Sequence, residues 1–149
     1  MRLAGCLAFV LAAHASRLDN FTVLRDREAV EFTTAKSNAT VVLFSSAICP
    51  IADAYVERLN SLYREYSSQG ARFVVIYSNI NEDWHRVKSY ADANGLALPV
   101  FKDLGNSLAD RLNARTTPEV FVYDRAGSLQ YRGRIDDSVN PARINVHNL

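Results

Sequence analysis

Four apolar residues, Val41-Val42-Leu43-Phe44, run without alternation, and five positions later Cys49-Pro50 opens a long helical pattern. A short β-rich run with no polar face is what a strand buried on both sides requires. Beyond Pro50, Ala52, Tyr55, Val56, Leu59, Leu62, Tyr63 and Tyr66 recur at three- and four-residue steps, which puts them on one helix face. Gly70 ends that helix as a left-handed cap. Strand, thiol, proline, helix is therefore the unit around which the rest of the chain must be arranged.

The remaining pattern supplies partners for that unit. Phe73 to Tyr77 reads as a second buried strand, and Trp84, Val87 and Ala91 mark a helix ended at Asn94-Gly95. An extended piece around Val100 and Phe101 leads to a helix carrying Leu108 and Leu112. Val120 to Tyr123, a turn at Asp124-Arg125-Ala126-Gly127, and Leu129 to Tyr131 read as a β-hairpin. Residues 26–36, opened by Asp26, read as a short helix. Strands alternating with helices and closed by a hairpin predict an α/β domain with a mixed central sheet and helices on both faces.

The amino terminus stands apart. Arg2, an apolar stretch from Leu3 to Ala13, and Ala13-His14-Ala15 form the three-part pattern of a secretory signal peptide over residues 1–15. The stretch is too short for a spanning helix; a buried first helix or strand is the alternative reading. Leu3-Ala4-Gly5-Cys6 has the form of a lipoprotein box, but no apolar run precedes it, and it is read as chance. Residues 16–149 then form one domain of a periplasmic or secreted protein, with Cys49 as its one cysteine and no intramolecular disulfide. Loss of Arg2 levels the balance of 17 basic and 16 acidic residues, and an even charge without a basic run argues against nucleic acid or an anionic membrane as partner. No second apolar stretch of spanning length follows. The sequons at Asn20 and Asn38 carry little weight.

Pro50 suits the first position inside a helix, because its missing N–H would find no partner there. Cys49 then takes the N-cap, where free backbone N–H groups and the positive end of the helix dipole favour a thiolate. A buried packing cysteine is the bland alternative. Thr117-Pro118 shifts the balance: a proline just before the terminal hairpin cannot donate a ladder bond and is a candidate cis peptide.

Together these features resemble the thioredoxin superfamily, and most closely bacterial redoxin proteins of the alkyl-hydroperoxide-reductase and thiol-specific-antioxidant kind. The matching strings are Cys49-Pro50-Ile51-Ala52, Thr117-Pro118-Glu119 and Tyr131-Arg132-Gly133-Arg134-Ile135-Asp136-Asp137, within a resemblance over roughly residues 20–140. It implies a thioredoxin-like fold, with Cys49 as nucleophile and Pro50, Thr117 and Pro118 presenting backbone to an extended substrate. It also implies a last helix beyond the hairpin, which the sequence reaches only as far as His147-Asn148-Leu149.

Departures from the pattern narrow the chemistry. The second cysteine of a dithiol reductase is Ala52 here, the buried acid of thioredoxins is Leu43, and the aromatic residue before the cysteine is Ile48. Of the peroxiredoxin set, Ser46 fits the hydroxyl three residues before the thiol. The arginine position six residues before Asp124 holds Pro118, and Arg115 is out of register. Arg132 or Arg134 would have to approach from the hairpin instead. Ser46, Arg134 and Asp136 are accordingly candidates for thiolate stabilisation or proton transfer, set against a reading of Asp136 and Asp137 as solvated turn acids. His85 with Cys49 gives only two metal ligands, and no metal or other cofactor is expected. The preferred reading is a monothiol oxidoreductase in which an external thiol completes the cycle, its partners protein or small-molecule thiols and disulfides. A one-cysteine peroxidase of antioxidant type, acting on peroxides through a sulfenic acid, is the second. A non-catalytic interaction module is the third.

Overall fold

The computed structural model describes residues 17–137. Seven strands form one sheet: β1 (Asn20–Arg25), β2 (Glu28–Thr33), β3 (Ala39–Ser45), β4 (Ala71–Tyr77), β5 (Val100–Lys102), β6 (Glu119–Asp124) and β7 (Leu129–Gly133). Their order across the sheet is β2-β1-β5-β4-β3-β6-β7. β3, β4 and β5 run parallel, while β6, β7, β1 and β2 pair antiparallel. The helices are α1 (Pro50–Ala54), α2 (Val56–Ser67), α3 (Trp84–Ala93) and α4 (Ser107–Leu112).

The absence of alternation in β3 and β4 has its cause in two cores, one on each face. Val41, Leu43, Phe73, Val75 and Tyr77 pack with Tyr55, Leu59, Leu62, Val87 and Ala91 from α1–α3 on one side. Val42, Phe44, Val74 and Ile76 pack on the other with Phe101, Phe121, Tyr123, Leu108 and Leu112. Neither face of the central strands meets water, so neither can carry a polar set. Phe44 and Phe121 meet edge to face at 5.7 Å, a favoured geometry for aromatic pairs.

Three sequence expectations are corrected. Residues 26–36 do not form one helix, and only Thr34–Lys36 wind into a short 3-10 turn: Asp26, at φ 57°, begins the turn between β1 and β2, which pair from Asn20↔Thr33 to Arg25↔Glu28. Val30 and Phe32 pack inward while Ala29 and Glu31 stay exposed, a period of two that marks a strand. Phe32 stacks on Phe21 at 5.1 Å and tethers the hairpin to the core. The long helix after Pro50 is two helices joined at Tyr55, whose N–H turns back to the Ala52 carbonyl at 3.1 Å. That joint leaves Tyr55 buried and Tyr63 half-buried, but carries Tyr66 out to the surface. The expected turns otherwise hold, with Gly70, Gly95 and Gly127 all at positive φ. The signal-peptide and last-helix expectations fall outside the described residues.

Tyr77 and Tyr123 are fully buried on opposite faces, and burial pushes both phenols up to about 12. An acid whose folded value lies above its unfolded value near 10 stabilises the fold below pH 10 and withdraws that stability between pH 10 and 12. Phenolate absorbance from these two rings is therefore expected only near pH 12 or with unfolding. A spectrophotometric titration with full phenolate signal by pH 10.5 and an intact fold would contradict this.

Candidate active site

β3 delivers the chain to the carboxyl end of the parallel strands, and residues 46–49 turn it into α1. The turn is closed by the Cys49 N–H donating to the Ser46 carbonyl at 3.3 Å. Cys49 caps α1 with extended backbone, φ −93° and ψ 110°, and Pro50 occupies the first turn. The side chain makes no bond to the helix amides. It points across to the loop before β6, where the thiol donates to the Thr117 carbonyl at 3.4 Å. The Thr117–Pro118 peptide is cis. Cys49, Pro50, Thr117 and Pro118, remote in sequence, thus form one surface, and the thiol is half-exposed within it.

Ser46 serves a different partner from the one its spacing suggests. Its hydroxyl donates to Glu82 Oε1 at 2.7 Å, and the oxygen accepts from Asn79 Nδ2 at 3.0 Å and from the Ile48 N–H at 3.3 Å. Glu82 is completely buried, and its second oxygen finds no hydrogen-bond partner among the described residues. Ser46 is therefore a strut between the thiol loop and the segment after β4. Beside it, the Tyr90 hydroxyl donates to Asp53 Oδ1 at 2.6 Å, one helical turn past Cys49. Burial first, and then the bond to Asp53, drive the Tyr90 phenol far above its ordinary value. Glu82, Asp53 and Tyr90 escaped the sequence reading. Glu82 lies in a polar segment, Ser78 to Asp83, whose composition resembles any solvated loop.

On the hairpin side, Arg132 is occupied. It donates to Glu119 Oε1 at 2.9 Å and to the Asn113 carbonyl, and its guanidinium lies 4.9 Å from the Phe121 ring centre. Arg134 is exposed and lines a cavity of about 260 Å³ with Ile51, Tyr55, Thr116, Thr117, Pro118 and Ile135. Asp136 is not a solvated turn acid: it is fully buried, with Arg58 Nε 4.0 Å from its Oδ2. Tyr55 is raised by burial and secondarily by Asp136 and Asp137. His85 is exposed at the start of α3, and no group of three metal-ligating side chains occurs among the described residues.

A seven-stranded mixed sheet covered by helices, with a thiol at a helix start against a cis-proline loop, defines a thioredoxin-like protein. More narrowly, residues 15–132 match the AhpC/TSA family, and the chain belongs to it. A hypothetical protein from Sinorhizobium meliloti 1021 is similar at 31% identity and TM-score 0.75, over 87% of this chain and 75% of that one. An uncharacterized conserved protein from Geobacillus kaustophilus is similar at 30% identity and TM-score 0.75, over 84% and 70%. A secreted Mycobacterium tuberculosis disulfide oxidoreductase homologous to E. coli DsbE shares the fold at 19% identity and TM-score 0.61, over 73% and 79%. Among curated proteins, none matches. No helix among the described residues is long and apolar enough to cross a membrane.

Proposed function

We propose that this protein is an extracytoplasmic thiol–disulfide oxidoreductase that works through Cys49 alone, within the single domain 16–149 that follows a signal peptide. The observation that carries the reading is the Cys49 thiol set 3.4 Å from the Thr117 carbonyl, half-exposed, beside Pro118. A disulfide laid along the backbone of that loop would bring a sulfur to the nucleophile. Cys49 attacks it, one thiolate leaves, and a mixed disulfide remains. Ala52, a buried methyl at the resolving position, cannot complete the cycle, so a second thiol from solution must. The secreted relative of DsbE type and the apolar start of the chain support the location.

The peroxidase reading has less support. Its hydroxyl, Ser46, already donates to Glu82, and one of its two candidate arginines, Arg132, is held by Glu119. Reaction of the reduced protein with a small disulfide is expected to outpace reaction with hydrogen peroxide by about tenfold or more, thiolate attack on sulfur being the favoured step. Faster loss of the thiol to peroxide, with a sulfenic acid trapped at Cys49, would overturn the assignment in favour of the peroxidase.

A further inference from the structure

The resolving thiol has to come from solution, and the cavity beside Cys49 has the character of a site for it. We propose that this cavity binds a low-molecular-weight thiol bearing a carboxylate, with Arg134 as the counter-charge. The inference rests on the thiol-exchange function proposed above and names the class of its second substrate.

Thr117 is shared: its carbonyl receives the Cys49 thiol, and the same residue lines the cavity. Ile51, Tyr55, Pro118 and Ile135 give the cavity apolar walls, and Arg134 is the one charged residue among the described residues lining it. At about 260 Å³ it lies just below the range of drug-sized pockets, which suits a short thiol. The Arg134 guanidinium makes no side-chain hydrogen bond or ion pair among the described residues, whereas Arg132 is bound to Glu119 and Arg58 lies beside Asp136. The nearby acids Asp136 and Asp137 have interactions of their own. A planar cation left over at the rim of an apolar cavity matches a carboxylate, which it can hold by two parallel bonds.

The exchange balances without an added oxidant. Cys49 attacks a disulfide and expels one half as a thiolate. The bound thiol, deprotonated, then attacks the substrate sulfur of the mixed disulfide. A new disulfide forms between the small thiol and the substrate half, and the Cys49 thiolate is released. The same site serves the reverse step, in which a small carboxylate disulfide enters and Cys49 attacks it.

The reverse step gives the test, on the full chain carrying Cys6→Ser, with three small disulfides of similar length: 3,3′-dithiodipropionate, neutral 2-hydroxyethyl disulfide and cationic cystamine. Adduct formation at Cys49 is followed by mass. The carboxylate disulfide is expected to react about fivefold faster than the neutral one, and cystamine more slowly, as a local cation requires. Arg134→Ala is expected to bring the ratio close to one, Arg134→Lys to restore it, and Arg134→Glu to invert it. A general loss of fold would also bring the ratio close to one, so the restoration by lysine and the inversion by glutamate carry the test. A wild-type ratio at or below one, or a ratio indifferent to Arg134, overturns the proposal while leaving the thiol function standing. Preference for a peptide disulfide with apolar neighbours, independent of Arg134, overturns it in favour of a protein side chain in the cavity. Inertness of Cys49 toward all the disulfides removes the proposed function and this inference together.

Discussion

Replacing Cys49 with serine is expected to abolish disulfide exchange, with a loss on the order of 10³-fold or more, as when a covalent nucleophile is removed. A hydroxyl at that position is uncharged at neutral pH and lacks the reactivity of a thiolate. The fold should be untouched, because the thiol makes one long bond to Thr117 and caps no helix amide. Rate constants with a small disulfide, measured beside thermal unfolding of both proteins, check the two halves of the statement. Residual exchange within tenfold of wild type would move the chemistry elsewhere. A large fall in melting temperature would make Cys49 a packing residue.

The second large effect concerns stability. Asp103 is 1% exposed and receives four donors, from the Ser78 hydroxyl at 2.9 Å, the Ser107 hydroxyl at 3.1 Å and the N–H groups of Leu108 and Ala109 at 3.0 and 2.9 Å. It thereby ties the end of β4, through Ser78, to the first turn of α4, the helix that carries Leu108 and Leu112 into the core. Asp103→Ala takes the acceptor from all four donors, the Leu108 N–H in a buried place and the others half-buried or exposed, at a cost of about 3 kcal/mol. For a domain of this size, that corresponds to a fall in melting temperature of about 10 °C. Asp103→Asn keeps one accepting oxygen and should fall between. Calorimetry on the three proteins decides it; a shift below about 2 °C for alanine would show that water or backbone relaxation replaces the carboxylate.

The centre of the fold is legible in the sequence because its constraints are local. Val41–Phe44 and Phe73–Tyr77 are apolar on both faces for the reason that both faces are covered, and Pro50 marks a helix start through its own missing N–H. The chain pattern marks Cys49 and Thr117-Pro118 separately; that the two meet is what the resemblance to the thioredoxin superfamily implies. The β1–β2 hairpin is not legible: β2 sends only Val30 and Phe32 inward, among charged neighbours that also suit a short helix. The Ser46–Glu82 strut and the burial of Asp136 depend on which loops the sheet brings together. A lone acid in a polar segment looks the same whether solvated or enclosed. Spacing places Ser46 in the thiol loop, but spacing cannot show that its hydroxyl donates a hydrogen bond to Glu82.

The central claim is that Cys49 forms a mixed disulfide that the protein cannot resolve by itself. The direct measurement is the intact mass of the reduced full chain carrying Cys6→Ser, so that Cys49 is its one thiol, after mixing with a small disulfide, followed over time before and after a free thiol is added. The expected result is one adduct, located at Cys49, that persists unchanged and is discharged only when the thiol arrives. No adduct, or an adduct at Cys49 that disappears with no thiol present, would contradict the account.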